Sequence, residues 1–187
     1  MLDGWIEAVK RYAKVWGVED ASYYYNERAN TSLLAAGAWN AGWIAIEEYR
    51  SKKYRNTGKS TGRVDLHVSS GEEDVVIESK HVWMNSRFDD KYHGKRVKHY
   101  LSLATRDARC TRGAELRFGA AFYIPKFRVD DFDNYDAAKL ISGEISRYLK
   151  ISRADAWAWC FPKESRLTLV ESENSYYPGV ILGLEAT

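Results

Sequence analysis

Two acidic residues and a lysine lie close together in the chain, at a spacing that could support chemistry. Asp65 stands in a segment rich in Val and Leu, and Glu78 and Lys80 stand two residues apart in the next such segment. The polar stretch 70–73 between the segments is typical of the turn of a β-hairpin. In such a hairpin Asp65 opposes Glu78, and side chains two apart share a face. The sequence therefore predicts that Asp65, Glu78 and Lys80 lie together on one face of a sheet.

Two carboxylates at cross-strand distance repel each other. At about 4 Å, with an effective dielectric constant of about 20, the repulsion costs roughly 4 kcal/mol. A shared proton, a nearby ammonium group or a hard divalent cation would offset that cost. Mg²⁺ or Mn²⁺ held by carboxylate oxygens is one interpretation of the pair. The other is a salt bridge across a solvated sheet face, with Lys80 as the cation.

The pattern of Asp65 followed by Glu78-Ser79-Lys80 resembles the motif of the PD-(D/E)xK nuclease superfamily. Val64 stands where the leading proline of that motif would be. The core of the family runs helix, three-stranded meander, helix and strand, and residues 21–124 can be assigned in that order. The resemblance implies an α/β fold with a restriction-endonuclease-like core, in which helices flank a central mixed β-sheet.

The resemblance also implies roles for individual residues in a metal-dependent nuclease that hydrolyses phosphodiester bonds. Asp65 and Glu78 would bind Mg²⁺ or Mn²⁺, with the carbonyl oxygen of Ser79 as a further ligand. The metal would lower the pKa of a bound water, and Lys80 would orient that water or stabilise charge in the transition state. Glu27, near the start of a predicted helix, would complete the acidic site. A solvated Glu27, favoured there by the helix dipole, is the alternative.

Two basic segments could hold a phosphate backbone near these residues. Residues 50–63 form a predicted loop that contains no acidic residue, and the helix predicted over 88–108 is basic in its first half. A solvated turn is the competing interpretation of the loop. The side chains assigned to nucleic-acid binding are Lys52, Lys53, Arg55, Lys59, Arg63, Lys91 and Lys95. DNA is the expected partner, with RNA as the alternative.

Hydrophobic periodicity predicts the elements that must position these residues. Helices are expected at about 4–16, 21–38, 88–108 and 135–150. Strands are expected at about 63–69, 74–80 and 115–124. The pattern of residues 43–53 is consistent with a helix or a strand, and the family resemblance favours a strand there. Asp20 is the predicted cap of the second helix, and Pro125 is the predicted end of the fourth strand. The β-rich C-terminal part, with strands near 157–161 and 180–182, could extend the sheet, cover an edge or form a homodimer surface.

The composition fits one soluble globular domain over residues 1–187. Hydrophobic residues make up 45% of the chain and charged residues 29%, enough for a sizeable core. The net charge is only +2, so nucleic-acid affinity would have to come from local patches. No apolar run approaches the roughly 20 residues of a membrane span, and the N-terminus lacks the pattern of a signal peptide. Cys110 and Cys160 are expected to be reduced thiols of a cytoplasmic protein.

The same fold could also carry a protein of another class. A nucleic-acid-binding or protein-interaction module with an idle acidic site is the alternative, because fold does not imply function. A metal-independent protein with a surface salt-bridge hairpin would require the whole element order to be a coincidence. The presence of the Asp, the Glu and the Lys favours the enzyme, a Mg²⁺-dependent endonuclease acting on DNA in the cytoplasm.

Overall fold

The computed structural model describes the backbone of residues 1–55, 58–111, 113–133, 136–151 and 153–187, and their side chains except at 55, 58–60 and 133. The helices are α1 (Leu2–Trp16), α2 (Glu27–Asn40), α3 (Asp90–Arg109), α4 (Val129–Asp133) and α5 (Ala137–Leu149). The strands are β1 (Ile44–Arg55), β2 (Gly58–Ser69), β3 (Asp74–Asn85), β4 (Leu116–Arg128), β5 (Ala156–Cys160), β6 (Leu169–Val170), β7 (Ser175–Tyr176) and β8 (Val180–Ala186). No helix in these ranges is long and apolar enough to cross a membrane.

One mixed sheet organises the chain. Strands β1, β2 and β3 form an antiparallel meander, and β4 lies parallel to β3. Strand β8 pairs antiparallel with β4, β5 pairs with β8, and the short β7 and β6 continue from the far end of β4. Helix α3 is the crossover that two parallel strands require. The predicted α/β class is confirmed, and the C-terminal strands extend the sheet; a homodimer surface stays a prediction.

Helices cover both faces of this sheet. On one face, Trp5 of α1 and Leu34 of α2 pack in a cluster with Phe122 of β4. On the other face, Leu101 of α3 packs in a cluster with Tyr123 of β4. Neighbouring residues of β4 enter different clusters because side chains alternate across a strand. Burial on both faces explains why the sequence of β4 is an almost continuous hydrophobic run.

Helix α3 lies close against β4 because Gly119 has no side chain. A Cβ atom at Gly119 would lie 2.2 Å from the backbone nitrogen of Thr105, well inside contact distance. The Thr105 hydroxyl donates a hydrogen bond of 2.9 Å to Glu185 on β8. These contacts hold the last turns of α3 against the sheet, where they can position side chains for the site.

The second helix begins later than the sequence predicts. Asn26, rather than Asp20, caps it, because the Asn26 side chain accepts a hydrogen bond from a backbone N–H of the first turn. Asp20 instead accepts hydrogen bonds from the hydroxyls of Tyr12 and Tyr25. The segment between the two residues is irregular and buries the ring of Tyr23. The Tyr23 hydroxyl donates a hydrogen bond to the backbone carbonyl of Tyr177.

The predicted basic loop at 50–63 belongs largely to two strands. Strands β1 and β2 pair from Arg50 opposite Arg63 out to Arg55 opposite Gly58. Polar residues dominate this stretch, so its hydrophobic pattern contains no strand signal. The backbone ladder, which the side-chain pattern does not reveal, makes it a two-stranded ribbon.

The fourth strand continues past the proline that was predicted to end it. Pro125 lies inside β4, opposite Met84 of β3. Pairing between β4 and β8 stops at Tyr123, so on that side the missing N–H of Pro125 costs the ladder no hydrogen bond. The predicted helices at 88–108 and 135–150 are confirmed with small shifts of their ends.

Candidate functional site

The site lies where β2 and β3 separate. The two strands pair in the predicted register, with Ser69 opposite Asp74 and Leu66 opposite Ile77, and the ladder stops there. Beyond the ladder, the Asp65 carboxylate, and not a backbone carbonyl of β2, accepts the hydrogen bond from β3. Its Oδ2 accepts a hydrogen bond of 2.7 Å from the Ser79 backbone N–H. Asp65 is therefore locked against β3 at the start of a gap between the strands.

A cleft of about 240 Å³ opens at this gap. Its lining side chains come from α2, from the strands β1, β2 and β3, and from the residue that caps α2. They are Asn26, Glu27, Arg28, Thr31, Glu47, Glu48, Asp65 and Ser79. Among the described residues, four carboxylates thus face one guanidinium group, and such an excess of negative charge attracts cations.

Glu27 reaches the cleft because it is the first residue of α2. On the next turn, the hydroxyls of Thr31 and Ser79 are 2.9 Å apart, which joins the helix to β3. Burial raises the pKa of Glu27, Lys80 opposes that shift, and the charge of Asp65 adds to it. Glu27 and Asp65 therefore line the same cleft with like charges; a joint role in an acidic site stays a prediction.

Lys80 is held between the two helices that flank the sheet. Its Nζ lies 3.9 Å from Glu27 Oε1 on α2 and 3.3 Å from Asp107 Oδ2 on α3. The ammonium also donates a hydrogen bond of 2.5 Å to the Ser79 carbonyl. About a quarter of the side chain, 24%, is exposed. Lys80 can therefore still donate to a group that enters from solvent.

Glu78 has a different environment from the one predicted. It is only 2% exposed. Its Oε2 accepts a hydrogen bond of 2.7 Å from Lys53 Nζ, and its Oε1 accepts one of 2.9 Å from the Thr111 hydroxyl. Burial is the main cause that raises the pKa of Glu78; Lys53 opposes it, and Asp65 adds to it. The expected repulsion between carboxylates exists, but it is smaller than the effect of burial.

Lys53 therefore acts inside the protein rather than on its surface. The sequence assigned it to nucleic-acid binding, yet it is 8% exposed. Its backbone forms an isolated bridge with Thr111, just after α3. The neighbouring Tyr54 N–H donates a hydrogen bond of 2.7 Å to the Cys110 carbonyl. These contacts close the β1–β2 ribbon over Glu78 and bury both charges.

The other basic residues do not form one surface. Arg63 and Lys52 are both exposed, and Arg63 forms an ion pair of 2.5 Å with Glu48. Lys91 and Lys95 lie on α3 and line a separate cleft next to α5. The side chains of the two remaining predicted residues, Arg55 and Lys59, lie outside the described part of the chain.

Three acidic residues of the site were missed from the sequence. Glu47 and Glu48 line the cleft, and Asp107 contacts Lys80. Glu48 has a φ of 51°, a left-handed conformation that costs a residue with a Cβ roughly 1–2 kcal/mol. The β1–β2 register places it opposite Asp65. A local pattern could not single out these residues, because each is one charged residue among many on a polar surface.

The donor atoms at the cleft suit a hard cation only in part. Glu27 and Asp65 offer carboxylate oxygens, and Mg²⁺ is commonly held by one or two carboxylates with water and substrate phosphate completing the shell. Glu78 does not fit as a ligand here, because its buried carboxylate is paired with Lys53 and is not among the described residues that line the cleft. Within the described ranges, no group of three or more His, Cys, Asp or Glu side chains could hold a metal ion.

The chemistry of the cleft has to be inferred from its own side chains. Glu27, Asp65 and Lys80 come from α2, β2 and β3, and Asp107 of α3 supports the lysine. The chain matches no protein-family model, no curated protein and no solved structure.

Proposed function

We propose that the protein is a metal-dependent endonuclease of the PD-(D/E)xK type, with DNA as the expected substrate. The observation that carries the proposal is that Glu27 and Asp65 line one cleft at the gap between β2 and β3, with the Lys80 ammonium 3.9 Å from Glu27. The order of α2, β1, β2, β3, α3 and β4 supports a restriction-endonuclease-like core. A phosphodiester suits this set of groups, because two carboxylates can hold a metal ion that polarises a phosphate, and an ammonium group can stabilise its negative charge.

The cation would be Mg²⁺ or Mn²⁺, with Glu27 and Asp65 holding it. When bound, such an ion polarises a phosphate and lowers the pKa of a coordinated water. Asp65 supports this role because its hydrogen bonds to Ser79 keep its carboxylate at the mouth of the gap. Glu27 supports it through the raised pKa, which reflects a carboxylate that burial and a neighbouring negative charge disfavour.

Lys80 would supply a fixed positive charge to the reacting phosphate or its attacking water. Its ammonium is held by Asp107 and by the Ser79 carbonyl, and it lies 3.9 Å from Glu27, which lines the cleft. Such a preorganised donor is typically worth about 10²–10³ in rate.

Glu78 would act as a positioning residue and not as a metal ligand. It ties β1 and the end of α3 to β3 through Lys53 and Thr111. The next two residues along β3 are Ser79 and Lys80, so the position of Glu78 determines where the reacting groups stand. This role differs from the one that the family resemblance implies for the residue.

A second function is favoured by one observation. Because Glu78 is engaged and the described residues hold no group of three metal ligands, the acidic site could be idle. The protein would then be a nucleic-acid-binding module on the same fold. This candidate predicts DNA affinity that does not depend on a divalent cation.

A cleavage assay separates the two candidates. The wild-type protein is incubated with supercoiled plasmid, single-stranded DNA and single-stranded RNA, in Mg²⁺, in Mn²⁺ and in EDTA. The nuclease proposal expects cleavage that needs the metal and is lost in Asp65→Asn. Glu72→Gln, which alters an exposed acid in the β2–β3 turn, is the matched control and should cleave normally. DNA binding without cleavage in every condition would establish the idle module instead.

A further inference from the structure

A second cleft, of about 450 Å³, lies between α3 and α5. No residue that the structure describes lines both this cleft and the acidic cleft at the β2–β3 gap. Helices α3 and α5 pack on the sheet face that carries Tyr123, whereas α2, which supplies Glu27, packs on the other face. The two clefts therefore belong to different helical layers, and a ligand of the α3–α5 cleft would not contact the acidic site.

Positive charge dominates this α3–α5 cleft. Lys91, Lys95 and Lys98 of α3 line it, with Lys150 at the end of α5. All four lysines are exposed, and none of their ammonium groups forms a hydrogen bond or ion pair with a residue that the structure describes. Like charges three and four positions apart on a helix destabilise it. Four unpaired ammonium groups around one depression favour a multiply charged anion.

His93 forms the buried floor of the cleft. It lines the cleft although it is only 1% exposed. Its Nε2 has no hydrogen-bond partner within the described structure. Glu144 Oε2, which also takes part in no hydrogen bond there, lies 3.7 Å away, close enough for an ion pair if the ring is protonated but too far for a hydrogen bond. Buried polar atoms nearly always have a partner, so an unpaired ring nitrogen indicates a ligand or an ordered water. This second observation is independent of the surface lysines.

Arg147 makes the cleft rigid. Its guanidinium donates hydrogen bonds to Asp90 at 3.0 Å, to Glu144 at 2.8 Å, and to the carbonyls of Ser86 at 3.1 Å and Phe88 at 2.5 Å. These bonds tie α5 to the loop that precedes α3. The two helices that carry the lysines are thus held at a set separation before any ligand arrives.

We propose that the α3–α5 cleft binds a small polyphosphate, either inorganic or the polyphosphate of a nucleotide. The volume of the cleft falls within the ~300–1,000 Å³ of small-molecule sites. The four lysines surround a depression with a buried floor, whereas a nucleic-acid strand is usually held along an open basic groove. Lys ammonium groups are mobile point charges that suit the several oxygens of a polyphosphate. This inference goes beyond the nuclease proposal and does not depend on it.

Isothermal titration calorimetry with sodium tripolyphosphate at constant ionic strength tests the site. The wild-type protein should bind at one saturable site. The variant Lys98→Gln/Lys150→Gln should bind at least about tenfold more weakly, the loss expected when two charge-assisted contacts are removed. The matched control Lys14→Gln/Lys163→Gln removes two lysines that lie outside this cleft and should bind like the wild type. Equal affinity in all three proteins would overturn the proposal.

Two further titrations identify the ligand class. ATP in place of tripolyphosphate distinguishes the two sources of polyphosphate, because tighter binding of ATP would point to a nucleotide. A short single-stranded DNA provides the contrary test. If the DNA loses affinity in Lys98→Gln/Lys150→Gln while tripolyphosphate binds none of the proteins, the cleft is a nucleic-acid contact and the proposal is wrong.

The His93 ring distinguishes an anion bound inside the cleft from an anion that only contacts the surface lysines. Its ring resonances in an NMR spectrum should shift on saturation with tripolyphosphate, while those of the exposed His99 should stay unchanged. His93→Gln, compared only if its spectrum shows an intact fold, should bind more weakly than the wild type. Binding that leaves the His93 resonances in place would show that the anion stays on the surface lysines, outside the proposed cleft.

Discussion

The Lys80 ammonium lies between carboxylates of two different helices, Glu27 at 3.9 Å and Asp107 at 3.3 Å. Both partners are acids, and Glu27 also lines the acidic cleft. Among the described residues, three cations stand beside five carboxylates here, so the site still lacks positive charge. The cations are Arg28, Arg63 and Lys80, and the carboxylates are Glu27, Glu47, Glu48, Asp65 and Asp107. At the scale of single residues, this imbalance is the strongest reason to expect a bound cation.

Replacing the lysine should separate binding from chemistry. In Lys80→Ala, we expect the rate of DNA cleavage at saturating substrate to fall by about 10²–10³, because a preorganised donor to the reacting phosphate is lost. Single-turnover kinetics measure the rate, and a filter-binding assay measures DNA affinity, which should change little. Lys14→Ala on α1 is the control. A rate within a few-fold of the wild type would make Lys80 a structural ion-pair partner.

Glu27 should make the stability of the metal-free protein depend on pH. Its pKa is raised in the fold, chiefly by burial, so the folded state holds a proton more tightly than the unfolded state does. Below the unfolded pKa of about 4.3 the effect vanishes, and it destabilises the fold increasingly as pH rises from there through the folded pKa. Compared with wild type, Glu27→Gln should therefore gain relative stability as pH rises above that unfolded value.

Urea unfolding of wild type and Glu27→Gln in EDTA, from pH 4 to pH 7, measures this difference. The comparison cancels the titration of groups that both proteins share. Glu7→Gln, at an exposed position on α1, is the control and should show no such trend. If the free energy of unfolding of Glu27→Gln falls relative to wild type as pH rises, the ion pair with Lys80 outweighs burial.

At the scale of elements, one buried ion pair joins three parts of the fold. Lys53 of β1 and Glu78 of β3 meet at 2.7 Å, and Thr111, just after α3, bonds to the same carboxylate. The pair closes the β1–β2 ribbon against the strand that carries Ser79 and Lys80. Its energetic value lies less in attraction than in the cost of leaving either charge unpaired.

Removing the lysine should therefore be costly. We expect Lys53→Met to lower the free energy of unfolding by about 3–5 kcal/mol, because the Glu78 carboxylate stays buried without its cation. Urea unfolding at pH 7 measures the change. Lys52→Met, at the exposed neighbouring position, should stay within about 0.5 kcal/mol of the wild type.

A second substitution tests the cause. Adding Glu78→Gln to Lys53→Met removes the stranded charge, so the double variant should recover part of the loss, as a double-mutant cycle reports. A cost for Lys53→Met no larger than that of Lys52→Met would mean that the pair contributes little to holding the ribbon.

At the scale of the whole molecule, the sheet separates two sites of opposite charge. Carboxylates dominate the cleft at the β2–β3 gap, and lysines dominate the α3–α5 cleft. A net charge of only +2 conceals this division. Local fields, and not the total charge, decide which ions and ligands each surface attracts.

Metal binding should appear as a global gain in stability. At ten times its Kd, Mg²⁺ or Mn²⁺ contributes about 1.4 kcal/mol. With an unfolding entropy of about 2.1 cal/mol/K per residue, this raises the Tm of a chain of 187 residues by roughly 3–4 °C. Thermal melts in EDTA and in metal measure the shift. Asp65→Asn should abolish it, whereas a full shift in that variant would place the ion elsewhere.

Much of the fold follows from local pattern. The turn length and the alternation of apolar residues predict the register of β2 and β3, in which Leu66 opposes Ile77. The helical period predicts α1, α3 and α5 to within a few residues. These features depend on residues near one another in the chain, so they could be predicted without the structure. The same local pattern predicts that Asp65 and Lys80 lie on neighbouring strands, as they do on β2 and β3.

Which polar side chains are buried, and what they contact, depends on how the elements pack together. The partners Lys53 and Glu78, like Lys80 and Asp107, are more than twenty residues apart in the chain. Periodicity tells which side of its own element a residue faces, but not how closely another element packs there. The sequence therefore predicts an exposed Lys53 that binds nucleic acid, whereas in the structure Lys53 is buried beside Thr111 at the end of α3. The pairing of a buried charge is a property of the packed molecule, because packing alone removes the water that would otherwise solvate it.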